Sequence, residues 1–327
     1  ASTPTAGFTS FANTRRGQSS AAQGFQVSNV GEFDLTVTTV TLTGANPGDF
    51  SFVAAPATGL VTALGSLAPF NVIFTPTATG LRTANISVTY TPSTAQLPSP
   101  VTITYAISGT GITPIIEVRE TDVLVGPTVS NGQASANGRA FVTRDVAAGA
   151  SAALTIFVKN TGTATMNLGL PALGGANPGD FVLNTTGYSA SVLAGASTSF
   201  TVAFDPTTTG ARAASISFTH DATFTPTASP FTFALSGTGY LPVLAVVAGG
   251  TPGETGPTTG TYTITATPAP QIARTVSFTM SGVAQTGVGL DYDLATTLTY
   301  GGVSGTFTLG LSGTAVITLT PVNDSRV

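Results

Sequence analysis

The stretch Gly44-Ala-Asn-Pro-Gly-Asp-Phe50 returns unchanged as Gly175-Ala-Asn-Pro-Gly-Asp-Phe181. Around it three further blocks recur in the same order. Phe25-Gln-Val-Ser-Asn-Val-Gly31 matches Ile156-Phe-Val-Lys-Asn-Thr-Gly162. Phe74-Thr-Pro-Thr-Ala-Thr-Gly80 matches Phe204-Asp-Pro-Thr-Thr-Thr-Gly210, each followed two residues on by an arginine, Arg82 or Arg212. Ile107-Ser-Gly-Thr-Gly111 matches Leu235-Ser-Gly-Thr-Gly239. Every block reappears about 130 residues further on, which is the signature of two homologous units in tandem.

Between the blocks apolar residues alternate with polar ones. Phe33, Leu35 and Val37, then Val40 and Leu42, show the two-residue period of a strand with one buried face. Ile86, Val88 and Tyr90 do the same, as do Ile216 with Phe218, and Phe231, Phe233 and Leu235. Clusters of Gly, Pro, Asn and Asp separate these runs at short spacing, and no segment has a helical period. The reading is an all-β protein of packed sheets. In Asn46-Pro-Gly-Asp-Phe50 the Pro and Gly set a tight turn, the Asp caps backbone N–H groups and the Phe enters the core. Arg82 and Arg212 are expected to cover the sandwich ends with their aliphatic stems.

Composition narrows the function. The chain has 327 residues, 42% hydrophobic and 7% charged, with a net charge of −4. A typical soluble domain has about a quarter charged residues. Ten dispersed cations make no nucleic-acid footprint. With no Cys there is neither a disulfide scaffold nor a thiolate metal site. No apolar run is long enough for a membrane-spanning helix. The chain opens Ala1-Ser-Thr-Pro, which suits either a mature form freed of a leader or a fragment.

The repeats resemble the choice-of-anchor D domains of bacterial surface proteins, relatives of the ASPM–SPD-2–Hydin immunoglobulin-like modules, over about residues 1–240. The resemblance implies tandem immunoglobulin-like β-sandwiches that are secreted and act as spacers or scaffolds, and it carries over no catalytic residue. The expected domains are 1–112, 113–240 and 241–327, in a rod-like array with almost no linker. The Gly126–Arg139 segment has no counterpart in the first repeat and is expected to be a surface loop or hairpin.

Residues 241–327 leave the repeat. Val276-Ser-Phe-Thr-Met-Ser-Gly-Val-Ala284, Asp291-Tyr292 and Ile317-Thr-Leu-Thr-Pro-Val-Asn-Asp324 are similar to Calx-β domains. Gly287–Leu290 are extra relative to that family, and the family continues past the position of Val327 with an acidic residue and two strands. The third domain is therefore expected to lack its last strands, either because the polypeptide has been cut or because a neighbour's strand completes the sheet. Ala1–Ser10 is one candidate donor strand.

Chemistry has few footholds. Glu254, Asp291, Asp293 and Asp324 are the third domain's only acids. Glu254, Asp291 and Asp324 are weak candidate calcium ligands by that resemblance; calcium needs six to eight oxygens, and solvated turn residues are the plainer reading. No other cofactor is expected. His220 is the only histidine and stands next to Asp221, but no nucleophile accompanies the pair, so a solvated or structural histidine is expected and no enzyme. Lys159, the sole lysine, cannot supply an isopeptide staple to each domain.

The sequence thus points to a secreted or cell-surface structural subunit of a bacterial filament, stalk or sheath, a homo-oligomer or polymer joined by strand addition. The alternative is an adhesin recognising a surface glycan or protein through its loops.

Overall fold

The computed structural model describes residues 9–93, 99–222, 224, 227–253, 258–281, 292–295, 299–301 and 304–322. They form immunoglobulin-like sandwiches built of strands, with 3-10 turns at Pro47–Asp49, Asn137–Arg139 and Pro178–Asp180.

In the first sandwich a five-stranded sheet runs Thr14–Arg15, Val101–Ile112, Gly80–Pro92, Leu35–Thr43, Gly59–Val61 in spatial order. A three-stranded sheet, Gln23–Phe25, Phe70–Phe74, Phe50–Phe52, packs against it. Val37, Phe50, Val72, Phe74, Ile86 and Ile107 are buried between the two. Fully burying such a side chain contributes about 1.5–3 kcal/mol, so this layer carries the stability of a chain with few ion pairs.

The slip in the apolar alternation at Val37 and Val40 has a direct cause. The ladder between Leu35–Thr43 and Gly80–Pro92 is irregular between Val37 and Thr39. A β-bulge adds one residue and re-phases the strand, so Val40 and Leu42 resume the inward face. Phe33 lies before the strand begins and is 65% exposed, contrary to the inward position its spacing predicts.

The second sandwich repeats this plan with more cover. Its larger sheet runs Thr128–Val129, Ile116–Glu120, Leu154–Asn160, Ser197–Phe204, Phe181–Asn184. The opposing sheet runs Arg144–Asp145, Phe231–Tyr240, Gly210–Phe218, Ala172–Gly174. Its core, from Ile116 to Leu235 along the chain, includes Ile156, Met166, Phe200, Phe204, Ile216 and Phe233.

The segment Gly126–Arg139 opens as the hairpin expected of it, and most of its residues lie at the surface. Its strand Thr128–Val129 pairs with Ile116–Glu120, and the chain then dives inward so that Arg139 is fully buried. Arg139 Nε meets Glu120 Oε1 at 2.6 Å, Glu120 Oε2 accepts the Gly138 amide at 2.9 Å, and the guanidinium lies 5.5 Å from the Phe233 ring centroid. A buried charge needs a partner, and the partner here comes from the strand across which the segment folds.

The third sandwich sets Val243–Gly249, Gly260–Thr267, Thr314–Pro321 and Tyr292–Ala295 in one sheet. The other sheet holds Arg274–Thr279, Ser304–Leu309 and Thr299–Gly301. Among the described residues its core holds Ile264, Ala266, Tyr292, Leu294, Phe307, Leu309 and Ile317.

Candidate functional site

The repeated motifs meet at one end of each sandwich and are consumed by the fold. Asp49, buried in its 3-10 turn, accepts the Thr77 amide at 3.0 Å and the Thr77 hydroxyl at 2.6 Å, and pairs with Arg82 through its other oxygen. Asp180 does the same with Thr207, at 2.8 and 2.7 Å, and Arg212 Nε stands 3.5 Å from it. Burial pushes both carboxyls up. The Thr hydroxyl and amide donors and the arginine outweigh it, and hold both below the usual carboxylate range. The two arginines are therefore ion-pair partners of the turn aspartates. The Ser-Gly-Thr-Gly block is explained by the same knot. A Cβ on Gly109 would lie 2.5 Å from the Phe74 ring, and one on Gly237 2.5 Å from the Phe204 ring.

The candidate catalytic pair is pulled apart. His220 is buried, and its Nε2 lies 3.1 Å from the Ala228 carbonyl, which can only accept. Asp221 turns away to Arg15 Nη1 at 2.9 Å and to the Asn167 amide, also at 2.9 Å. The structural reading of His220 stands, in a buried rather than a solvated setting. Glu254, Asp291 and Asp324 lie outside the described residues, and Asp293 is placed only by its backbone pairing with Thr320. Among the described residues no three His, Cys, Asp or Glu side chains gather to hold a metal.

Sequence reasoning missed the joints. Thr14–Arg15 pairs in parallel with Gly111–Ile112, and Arg144–Asp145 pairs in parallel with Gly239–Tyr240, so Arg15 and Asp145 occupy equivalent positions. Arg15 reaches Asp221 of the second sandwich. Asp145 receives Arg274 of the third, and its backbone amide donates to Gln271 Oε1 at 3.1 Å. Each junction is thus braced from the same position with opposite polarity. Tyr240 OH adds a bond to the Ala269 carbonyl at 2.8 Å, and Arg16 sits 4.6 Å over the Phe224 ring. Burial raises the Asp145 carboxyl, but the Arg274 guanidinium and the Ala147 amide bring it below the ordinary range. The signal was present as two charges at matching places in a charge-poor chain.

The remaining feature is an open edge. Among the described residues Val243–Gly249 pairs on one side only, and every residue in it is exposed, including Val243, Leu244, Val246 and Val247. An apolar cleft of about 410 Å³ lies between this strand and Arg274–Thr279, lined by Leu244, Val246, Ile264, Val276, Phe278 and Met280. The opposing sheet also ends there, on Arg274–Thr279. Ala1–Ser10 is not wholly free to donate a strand: Thr9 and Ser10 run beside Ser108, and Phe11 is buried in the first core. Residues 1–8 lie outside the described residues.

No family model matches this chain, and no curated protein matches it. Solved structures do resemble it. A protein of unknown function from Porphyromonas gingivalis is 13% identical over 71% of this chain and 96% of its own, with a TM-score of 0.27. The C-terminal domain of the Streptococcus agalactiae AgI/II polypeptide BspA is 7% identical, with the same coverages and a TM-score of 0.31. A PapD-like domain of human CEP192 is 19% identical over 32% of this chain and 79% of its own, with a TM-score of 0.23. At these identities and scores no function carries over. Among the described residues no helix is long and apolar enough to cross a membrane.

Proposed function

We propose that this protein is a structural subunit of an extracellular bacterial surface assembly whose copies join by strand addition. The observation that carries the reading is the strand Val243–Gly249, unpaired along one edge among the described residues and apolar on both faces. Val243 is 70% and Val247 64% exposed. Proteins that live as monomers blunt such edges with charge, Pro or a covering segment, because free N–H and C=O groups beside apolar side chains recruit other strands. Here the edge carries no charge at all. The braced junctions suit a load-bearing element, and the repeat motifs are committed to packing rather than to a ligand.

Sedimentation and electron microscopy of the purified protein test this reading. Concentration-dependent oligomers or filaments are the expected result. A monodisperse monomer at about 100 µM would sink it. The alternative, a glycan- or protein-binding module acting through its loops, is tested on a glycan array.

A further inference from the structure

We propose that Asn137-Gly138 is a self-modification site, where the Gly138 nitrogen closes on the Asn137 side-chain carbonyl to form a succinimide with the Glu120 carboxylate as base. The site lies wholly within one chain, so it does not depend on how copies join.

Such a ring closure has four requirements. The nitrogen that follows the asparagine must lie on the side of its Cβ. It must be unhindered, a base must take its proton, and the side-chain amide must be free to leave as ammonia.

The turn meets the first requirement. The Arg139 amide donates to the Ala136 carbonyl at 3.0 Å, which makes Ala136–Arg139 a β-turn with Asn137 and Gly138 at its centre. Asn137 has φ +49°, an uncommon value for a residue with a side chain, and Gly138 is outside the positive-φ region. Positive φ at the first central residue alone marks a type II′ turn, whose mirror relation to type II sets the Asn137 ψ near about −120°. At that ψ the Gly138 nitrogen nearly eclipses Asn137 Cβ. A five-membered succinimide demands the same eclipse, so closure needs no rearrangement of the turn.

Glu120 and Gly138 meet the next two. Gly138 offers an unhindered nitrogen, and a Cβ there would lie 2.7 Å from Leu154 Cδ1 and 3.2 Å from Glu120 Oε2. Glu120 Oε2 accepts the Gly138 amide at 2.9 Å, within reach of proton transfer. Its other oxygen is held by Arg139 Nε. Asn137 is exposed, and its side-chain amide has no partner among the described residues. In the step the Gly138 N–H proton passes to Glu120 Oε2 and the nitrogen attacks Asn137 Cγ. The N–Cγ bond forms, the Cγ–Nδ2 bond breaks, and the proton leaves with Nδ2 as ammonia. Water then opens the ring at either carbonyl, giving aspartate or iso-aspartate. The iso form routes the main chain through the side-chain carbon and lengthens the turn that delivers Arg139 to Glu120.

The same segment carries a built-in control. Asn131-Gly132 repeats the dipeptide in the opposite turn. There the Gln133 amide donates to the Ser130 carbonyl at 3.1 Å, Gly132 has φ +76° and Asn131 is outside the positive-φ region. That is type II, and its ψ turns the Gly132 nitrogen away from Asn131 Cβ. The Gly132 amide donates to the Thr232 carbonyl at 2.7 Å, which is no base. Asn131 Nδ2 is tied to the Ala228 carbonyl at 2.8 Å, and Oδ1 accepts the Thr232 amide at 2.6 Å.

The test ages the full chain at neutral pH and follows the peptides holding Asn137 and Asn131 by mass spectrometry, reading loss of ammonia and its replacement by water. In the folded chain Asn137 is expected to react at least about tenfold faster than Asn131. In concentrated urea both turns are gone, and the two rates are expected to converge on a value below that of folded Asn137. Glu120→Gln is expected to slow Asn137 at least about tenfold while Asn131 stays slow. A folded Asn137 no faster than Asn131, or slower than the same residue in urea, overturns the proposal. So does a Glu120→Gln chain in which Asn131 stays slow and Asn137 keeps its rate. The wild-type comparison decides by itself if the variant unfolds, which a rise of Asn131 to its urea rate reveals.

Discussion

Removing Glu120 tests how the second sandwich is held closed. Glu120 and Arg139 are both fully buried, and their ion pair ties the inward-diving segment to the strand Ile116–Glu120. In Glu120→Ala, Arg139 Nε loses its 2.6 Å partner and the Gly138 amide loses its 2.9 Å acceptor. Arg139 keeps Nη1 bonds to the Ala134 and Ala234 carbonyls, while its Nη2 already has no partner among the described residues. The guanidinium thus becomes an uncompensated buried cation. Breaking such a pair from one side costs about 3–5 kcal/mol, a large share of the ~5–15 kcal/mol that holds a domain together. The assay is denaturant titration of the full chain followed by hydrogen exchange of peptides from Leu154–Asn160 and Phe231–Tyr240, because several sandwiches unfolding separately blur a global signal. The double variant Glu120→Leu with Arg139→Met is expected to recover most or all of the loss, since apolar side chains of similar size fill the site without a desolvated charge. A single-variant cost below about 1 kcal/mol, or a double variant no better than the single, would refute the reasoning.

Other perturbations address the turns and the joints. Gly237→Ala drives a Cβ to 2.5 Å from the Phe204 ring and is expected to destabilise the second sandwich by about 1–3 kcal/mol, read as a lower denaturation midpoint. Asp49 and Asp180 titrate below the usual carboxylate range when folded, so their contribution is complete above the unfolded value near 3.9 and drains away as pH falls through the folded values. Urea midpoints are therefore expected to drop below about pH 4, and less steeply in Asp49→Asn with Asp180→Asn. The two joints are unequal. Arg274→Ala strands the fully buried Asp145, whereas Arg15→Ala breaks a pair about a third exposed and worth under about 1 kcal/mol. Limited proteolysis is expected to cut near the 240–272 junction in Arg274→Ala well before it cuts near 112–114 in Arg15→Ala.

Much of the fold is legible in the residues because its motifs are local. Phe231, Phe233 and Leu235 alternate and are buried as their spacing requires, and the Pro-Gly-Asp-Phe turns form where they are written. The bulge at Val37 was written too, as a slip in the alternation. Other contacts were illegible because they depend on distant partners. Gly126–Arg139 reads as a surface loop or hairpin, and only the tertiary structure shows that it also buries Arg139 against Glu120. His220 and Asp221 read as a structural histidine beside an aspartate, and only the fold shows that Arg15, some 200 residues away in sequence, pairs with that aspartate.

The amino-acid sequence alone determined that the chain is all-β, that two units repeat and a third differs, and that no nucleic-acid footprint or thiolate metal site exists. Periodicity and composition are properties of short stretches and need no knowledge of what lies across the core. Tertiary structure alone decided which segments pair beside which among the described residues. The motif of residues 25–31 looks the same as that of 156–162, yet among the described residues the second pairs with Ile116–Glu120 while the first has no partner on that side and Ile103 and Tyr105 are exposed. Whether an apolar strand lies in a core or on an edge depends on which segment packs beside it, and that segment can come from anywhere in the chain.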